Sequence, residues 1–200
     1  MDITTAQSLT LMTSRFYERI EASFDATRQS PWPGWEHVWA CAHDVTRATG
    51  GAPEELRVLD LACGNLRFAR FLAKQETPVA YGGVDACDQL AERGMTALAT
   101  PKGALCARYQ HLDILQALYA QDDLALCIEA PTCDLAVCFG FLHHVPLPEH
   151  RVQVVQALLR HIRPGGVVAL SLWQFLRDER LRSKARPVEG GNEGDYLLGW

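Results

Sequence analysis

The stretch Arg57-Val58-Leu59-Asp60-Leu61-Ala62-Cys63-Gly64-Asn65-Leu66-Arg67-Phe68 constrains this chain more than any other. An apolar, β-branched run ends in an acid, passes through a turn of small residues, and resumes as apolar residues at helical spacing. A buried strand feeding a tight turn into a helix reads this way, and in an open α/β sheet that junction is where nucleotide-like ligands bind. The turn is too poor in glycine for a pyrophosphate loop. A Gly-x-Gly-x-x-Gly pattern would need glycine at Ala62 and at Leu66 or Arg67, and no Gly-Lys-Ser/Thr follows.

Around this junction strand and helix signals alternate. Leu9, Met12, Phe16, Ile20 and Phe24 fall near one face of a helix expected over 5–23. Ser30-Pro31-Trp32-Pro33-Gly34 breaks it, because two prolines and a glycine do not continue a helix. A second helix carries Trp35, Val38, Trp39 and Ala42 on a stripe and ends by Gly50-Gly51-Ala52-Pro53. Strand one follows over 57–62, then a helix through Phe68, Phe71 and Leu72. Strand two spans 79–85, and its helix is capped near Asp88 and runs to Leu98. Strands three and four are expected over 107–114 and 134–139. Pro148-Glu149 opens a helix whose Val152, Val155, Leu159 and Ile162 repeat at helical spacing. Arg163-Pro164-Gly165-Gly166 then turns the chain into strand five over 167–173. Strands joined by crossover helices make a doubly wound, mostly parallel α/β sheet. N-terminal helices over 1–50 form a lid or substrate segment, and 51–200 the ligand-binding domain.

Composition narrows the class. Two hundred residues at 48% apolar content can bury a full core, and no run of about 18 apolar residues suggests a membrane span. Met1-Asp2-Ile3-Thr4-Thr5 lacks the basic and apolar regions of a secretory signal. The seven cysteines stand at irregular spacings without a Cys-x-x-Cys pair, which suits reduced, mostly buried thiols in a cytoplasmic protein. A net charge of −5 gives no global attraction to nucleic acid, so an RNA partner would need a local patch.

Spacing adds further site candidates. Asp85 closes strand two, 21 residues beyond Gly64, where an acid can accept both hydroxyls of a ribose. Asp113 follows strand three, with apolar Ile114 beside it. Phe139, at the end of strand four, leads into the pair His143-His144. Adjacent histidines on a regular element cannot both face one metal, and no third ligand is near in sequence, so no metal site is expected. Either histidine suits a substrate pocket or a locally satisfied helix start.

The acid-turn motif at Asp60 to Gly64, Asp85, Asp113, the strand leading to His143-His144, and Arg163-Pro164-Gly165-Gly166 together resemble the class I methyltransferases that use S-adenosylmethionine. The resemblance covers 55–175. It implies that S-adenosylmethionine is bound by Asp60, Ala62, Cys63, Gly64, Asp85, Ala86, Asp113, Ile114 and Phe139. Asp60 would orient the ammonium group, Asp85 the ribose and Asp113 the adenine. That family usually has glycine at position 62 and often at 66, so Leu66 implies that the cofactor is approached mainly around Gly64. It also completes its sheet with a two-strand hairpin. After strand five only 174–200 remain, of which 196–200 could begin strand six. The hairpin is therefore expected to be incomplete, leaving an apolar edge.

Outside the cofactor motifs, Phe24-Asp25-Ala26-Thr27-Arg28 followed by Trp32-Pro33 resembles the start of the tRNA wobble-uridine carboxymethyl methyltransferases. The His-His pair, Trp173, and Gly194-Asp195 leading to Trp200 resemble them too, although that family usually has proline where Gly199 stands. The resemblance implies methyl ester formation on a carboxymethyl group, tRNA as partner, and a small activating subunit. Arg28, with His143 and His144 behind it, is the candidate for positioning the acceptor carboxylate, and Arg28 suits the carboxylate of the cofactor's methionine equally. Arg177, Arg180, Arg182, Lys184 and Arg186 form the one local basic patch for RNA, diluted by Asp178 and Glu179, and they read equally well as a solvated helix face. The alternative is a small-molecule methyltransferase whose N-terminal helices close over a metabolite.

Overall fold

The computed structural model describes residues 1–48, 54–98 and 105–198. Five parallel strands form one sheet in the order β3-β2-β1-β4-β5. They are β1 (Leu56–Leu61), β2 (Val79–Asp85), β3 (Leu105–His111), β4 (Cys133–Cys138) and β5 (Ile162–Leu170). The order reverses between β1 and β4, so a crevice opens there at the carboxyl ends of the strands. The helices are α1 (Ile3–Thr27), α2 (Gly34–Ala48), α3 (Arg67–Leu72), α4 (Asp88–Leu98), α5 (Ile114–Tyr119), α6 (Leu124–Cys127), α7 (Pro148–His161) and α8 (Glu179–Arg182).

Two apolar layers sandwich the sheet because alternate strand residues point to opposite faces. Leu59, Leu61, Ala136 and Cys138 pack with Leu115, Leu118, Val154 and Leu158 from α5 and α7. Val58, Leu135 and Val137 pack with Trp35 and Trp39 of α2 and with Phe68, Phe71 and Leu72 of α3. Every residue of β4 is buried, as befits a central parallel strand. At the opposite end of the sheet, Asp134 accepts the Arg57 amide at 2.9 Å and Arg163 Nε at 2.5 Å, joining the starts of β1, β4 and β5.

Several sequence expectations are corrected. Strand three starts earlier and stops at His111, because Asp113 caps α5 by accepting the Gln116 amide. Strand five runs over 162–170 rather than 167–173: the Pro164-Gly165-Gly166 run stays on the strand, with a register shift against β4 between Cys133 and Leu135. In α7 the buried residues are His150, Val154, Ala157 and Leu158, while Val152 and Leu159 are exposed. The doublets Val154-Val155 and Leu158-Leu159 let the apolar stripe be drawn one residue too far round. Met12 of α1 is exposed as well, because this long helix lies along the surface and only Ala6 is fully covered.

Among the described residues no hairpin completes the main sheet. Tyr196–Leu198 forms β7, not a sixth strand, and pairs antiparallel with β6 (Ala185–Pro187) as a separate two-stranded sheet. Residues 49–53, where α2 was expected to end and the domain boundary to fall, and Gly199 and Trp200 lie outside the described residues. No helix among the described residues is long and apolar enough to cross a membrane.

Candidate active site

At the carboxyl end of β1 the chain turns through Ala62 to Asn65 into α3. The Ala62 and Cys63 amides both donate to the Val84 carbonyl, at 2.8 and 3.1 Å, which ties the turn to β2. Ala62, Gly64 and Leu66 all take left-handed backbone, with φ of 63°, 51° and 52°. Ala62 and Leu66 thus hold a conformation suited to glycine, at some cost in strain. Helix α4 comes close beneath: a Cβ on Gly94 would lie 2.6 Å from the Asn65 carbonyl oxygen.

The turn floors a small open cleft at the switch point, lined by Asp60, Ala62, Cys63, Gly64, Asn65, Arg67, Phe68 and Phe139. Phe24 and Arg28 from the end of α1, with Trp32 and Trp35, form its other wall. Asp60 is buried and accepts a 2.6 Å hydrogen bond from the Tyr81 hydroxyl. Burial raises its carboxyl to about 7, opposed by the Tyr81 bond and reinforced by the charge of Asp85. The Cys63 thiol is pushed well up by burial, with Asp85 and Asp60 adding to the effect, so it stays protonated.

Asp85 is shaped by backbone. Its Oδ2 accepts the Gly64 amide at 2.8 Å and its Oδ1 the Cys87 amide at 2.9 Å. Burial raises this carboxyl and the amide bonds pull it back. Each oxygen takes one amide proton there, which leaves lone pairs for a further donor. Ala86 beside it is exposed. Asp113 Oδ1 caps α5 and Ile114 is buried in the core; neither of them lines the cleft, nor do Asp85 and Ala86.

Arg28 stands at the C-cap of α1, and that end is pinned to the turn. Asn65 Nδ2 donates to Asp25 Oδ1 at 2.8 Å and to the Arg28 carbonyl at 3.3 Å, and Arg70 Nη2 donates to the same carbonyl at 3.2 Å. The Arg28 guanidinium lies 5.2 Å from the Phe24 ring centre. Arg67, which sequence reasoning passed over, lies 5.0 and 5.2 Å from the rings of Trp32 and Trp35. Desolvation lowers its guanidinium to about 10, with the charges of Arg28 and Arg70 adding to the shift. The buried indole N–H of Trp35 has no acceptor among the described residues.

His143 and His144 sit in a single 3₁₀ turn beyond β4, with ring centres 4.0 Å apart. His144 Nε2 meets the Tyr17 hydroxyl at 2.9 Å, which brings α1 against this turn. Desolvation lowers the imidazole of His144 to about 3, with help from His143, and acts in the same direction on His143, which remains exposed to solvent. His144 is therefore neutral at pH 7. Burial raises the Tyr17 hydroxyl, while Arg28 lowers it and Asp85 raises it, so both charges act on this residue. Neither histidine lines the cleft itself. Tyr17 was also missed, although its place seven residues before Phe24 puts both on one side of α1.

Comparison with known proteins agrees with this geometry. The chain is 25% identical over 174 residues to mouse tRNA (carboxymethyluridine(34)-5-O)-methyltransferase ALKBH8, covering 87% of this chain and 21% of that protein. It is 25% identical over 186 residues to the tRNA (carboxymethyluridine(34)-5-O)-methyltransferase of Saccharomyces cerevisiae, covering 93% and 55%. The chain thus spans from about a fifth to about half of the length of these relatives. Among solved structures, an S-adenosylmethionine-dependent methyltransferase from Clostridium acetobutylicum superposes with a TM-score of 0.56 at 14% identity, over 85% of this chain and 60% of that one. The amino pentose methyltransferase CalS10 from Micromonospora echinaspora gives 0.53 at 19% identity, over 78% and 57%. At these identities the likeness is one of fold. The profile of the family described as "Methyltransferase domain" matches residues 35–192, and with the acid, turn and switch-point cleft in place the chain belongs to that methyltransferase-domain family.

Proposed function

We propose that this chain transfers the methyl group of S-adenosylmethionine to the carboxylate of a carboxymethyl group on a tRNA wobble uridine, giving the methyl ester. The observation that carries the reading is a single cleft lined by a buried acid, Asp60, and by Arg28 brought in from α1. The names of the two curated relatives support the acceptor.

The residues fit the cofactor. Asp60 is a carboxyl that burial raises to about 7, and it would pair with the ammonium group. Asp85 keeps lone pairs for ribose hydroxyls. Arg67 lines the same cleft and suits a carboxylate. When bound, the cofactor supplies an electrophilic methyl group on a sulfonium that leaves as a neutral thioether.

The acceptor carboxylate is ionised at neutral pH and is already a nucleophile, so no general base is required. Arg28 supplies the cation that draws a carboxylate out of water and holds its oxygen in line with the methyl carbon. Residues 1–50 act as the lid, since the end of α1 and the following Trp32 wall the cleft. The aromatic lining by Phe24, Trp32 and Trp35 favours the second reading, a small metabolite acceptor.

The test is transfer of a tritiated methyl group from the cofactor to bulk tRNA and, in parallel, to a metabolite extract. Ester formed on tRNA, and reduced by about 2 kcal/mol of transition-state stabilisation in Arg28→Ala, is the expected result. Labelling of a metabolite with none on tRNA would replace this reading by the second. Asp85→Ala should weaken cofactor binding by about 2 kcal/mol, measured by calorimetry, and equal affinity would remove the ribose role.

A further inference from the structure

Beyond the cleft, six rings follow one another across the molecule. Tyr17 and His144 lie 5.3 Å apart, His144 and His143 4.0 Å, and His143 and Trp173 5.2 Å. Trp173 and Phe175 follow at 5.7 Å, and Phe175 and Tyr196 at 5.9 Å. The row therefore joins α1, the turn after β4, the segment after β5 and the hairpin. The five strands of the main sheet run parallel, so the segment leaving β5 starts from the same end of the sheet as Asp60 and Asp85. Most neighbouring rings in the row meet edge to face, and Trp173 is still 49% exposed and Tyr196 36% exposed.

This is an unusual use of aromatic surface. Large rings left open to water are costly unless something covers them. The row is also held in place: Asp195, in the loop between β6 and β7, lies 3.8 Å from Arg151 of α7. Directly after the row come Arg177, Arg180, Arg182, Lys184 and Arg186, all exposed, against only Asp178 and Glu179. Arg177 shares a 3₁₀ turn with Phe175, and Arg186 pairs across the hairpin with Leu197 next to Tyr196, so cations lie near the exposed end of the row and match a polyanion that carries flat rings. Such a ligand is unpaired nucleic acid, whose bases stack on protein rings while its phosphates meet the cations. A duplex hides its base faces and would leave the rings uncovered.

Resting on the tRNA reading above, we infer that the exposed end of the row, Trp173 and Tyr196, is a stacking platform for the unpaired nucleotides flanking the methylated residue, with the packed rings behind it as its support. The enzyme then takes its substrate as an open RNA loop. The cleft receives one nucleotide and the two exposed rings receive its neighbours. Loop geometry, rather than base identity, then sets which RNA is accepted, since every base has a face to stack.

The experiment uses the full chain and a stem-loop RNA with a carboxymethyluridine in the loop and 2-aminopurine at a flanking position. Binding should quench 2-aminopurine fluorescence. Trp173→Ala, an exposed site where loss of folding is not expected, should abolish most of the quenching and raise KM for the stem-loop about tenfold. Trp173→Phe should restore both, and Tyr196→Ala should act in the same direction as Trp173→Ala. The same sequence annealed into a duplex should not be quenched. Unchanged quenching and KM in Trp173→Ala, or equal quenching by the duplex, would overturn the platform. So would a second copy of the chain covering the row, seen as a dimer that Trp173→Ala dissolves and RNA does not compete with. The fluorescence readout needs no catalysis. Quenching without methylation would sink the tRNA ester reading and keep the platform, and methylation indifferent to Trp173 would do the reverse.

Discussion

Ala62 and Leu66 occupy left-handed backbone without being glycine, and their different burial decides what each substitution should do. Ala62 has little side chain to lose, so Ala62→Gly should relieve strain and stabilise the protein by about 1 kcal/mol in urea unfolding. A loss of stability would show that the Ala62 methyl packs more than it strains. Leu66 is fully buried, and there the cavity outweighs the relief: Leu66→Gly should destabilise by about 3 kcal/mol. Asp60 gives a prediction of its own. Its folded carboxyl titrates at about 7 against an ordinary 3.8, so its contribution to stability is fully present below about pH 4 and is lost as pH rises through 7. Asp60→Asn should flatten that part of the stability profile in the absence of cofactor. Cofactor affinity should run the other way, tightening by up to about tenfold per pH unit as pH rises towards 7, because the ammonium group pairs with the ionised form. An affinity independent of pH between 5 and 7 would separate Asp60 from the ammonium. His144, neutral throughout that window, should contribute nothing to the slope.

Among the elements, the packing of α4 against the turn is the least forgiving. A Cβ on Gly94 would come within 2.6 Å of the Asn65 carbonyl oxygen and 2.8 Å of Leu66 Cβ, neither of which can move without shifting the cleft floor. Gly94→Ala gains helix propensity worth about 1 kcal/mol, yet overpacking should win and leave a net loss of about 1 to 2 kcal/mol. Thermal unfolding together with cofactor titration tests this, and a more stable variant with unchanged affinity would refute it. The element scale also shows how far the sequence could be read. Strands β1, β2 and β4 and the start of α4 were legible because continuous apolar runs ended in Asp or in small residues, and those signals are local. The same signals pointed to Asp60 and Gly64, which line the cleft, and to Asp85, which holds the Gly64 amide without lining it. What was not legible depends on meetings between distant segments. Nothing near Arg67 announces that Trp32 and Trp35 will flank it, and Tyr17 acquires meaning only when α1 brings it to His144. Strand β5 was misjudged because Pro164-Gly165-Gly166 looks like a turn, although an edge strand tolerates proline where a central one does not.

For the molecule as a whole, sheet edges and charge set its dealings with partners. The main sheet ends at β3 and β5, and the hairpin of β6 and β7 forms its own sheet instead of extending it. Leu170, Leu172 and Trp173 are therefore exposed at and just beyond the β5 edge. A net charge of −5 opposes RNA at long range, so under the proposed tRNA reading capture would fall to the exposed cations of the 177–186 segment at short range. That division has a measurable signature. Each arginine that neutralises a phosphate releases counterions, so affinity for tRNA should fall steeply with salt, and taking such an arginine away should make the fall shallower. In the double variant Arg180→Ala and Arg182→Ala, the slope of log K against log salt should decrease by about one for each phosphate no longer neutralised. Affinity at low salt should drop for all tRNAs alike, since phosphates carry no sequence information. Transfer to a small carboxylate acceptor reports on the cleft and not on this segment. A variant with the parent's slope and affinity would return the segment to the role of a solvated helix face and move RNA recognition elsewhere on the same end of the sheet.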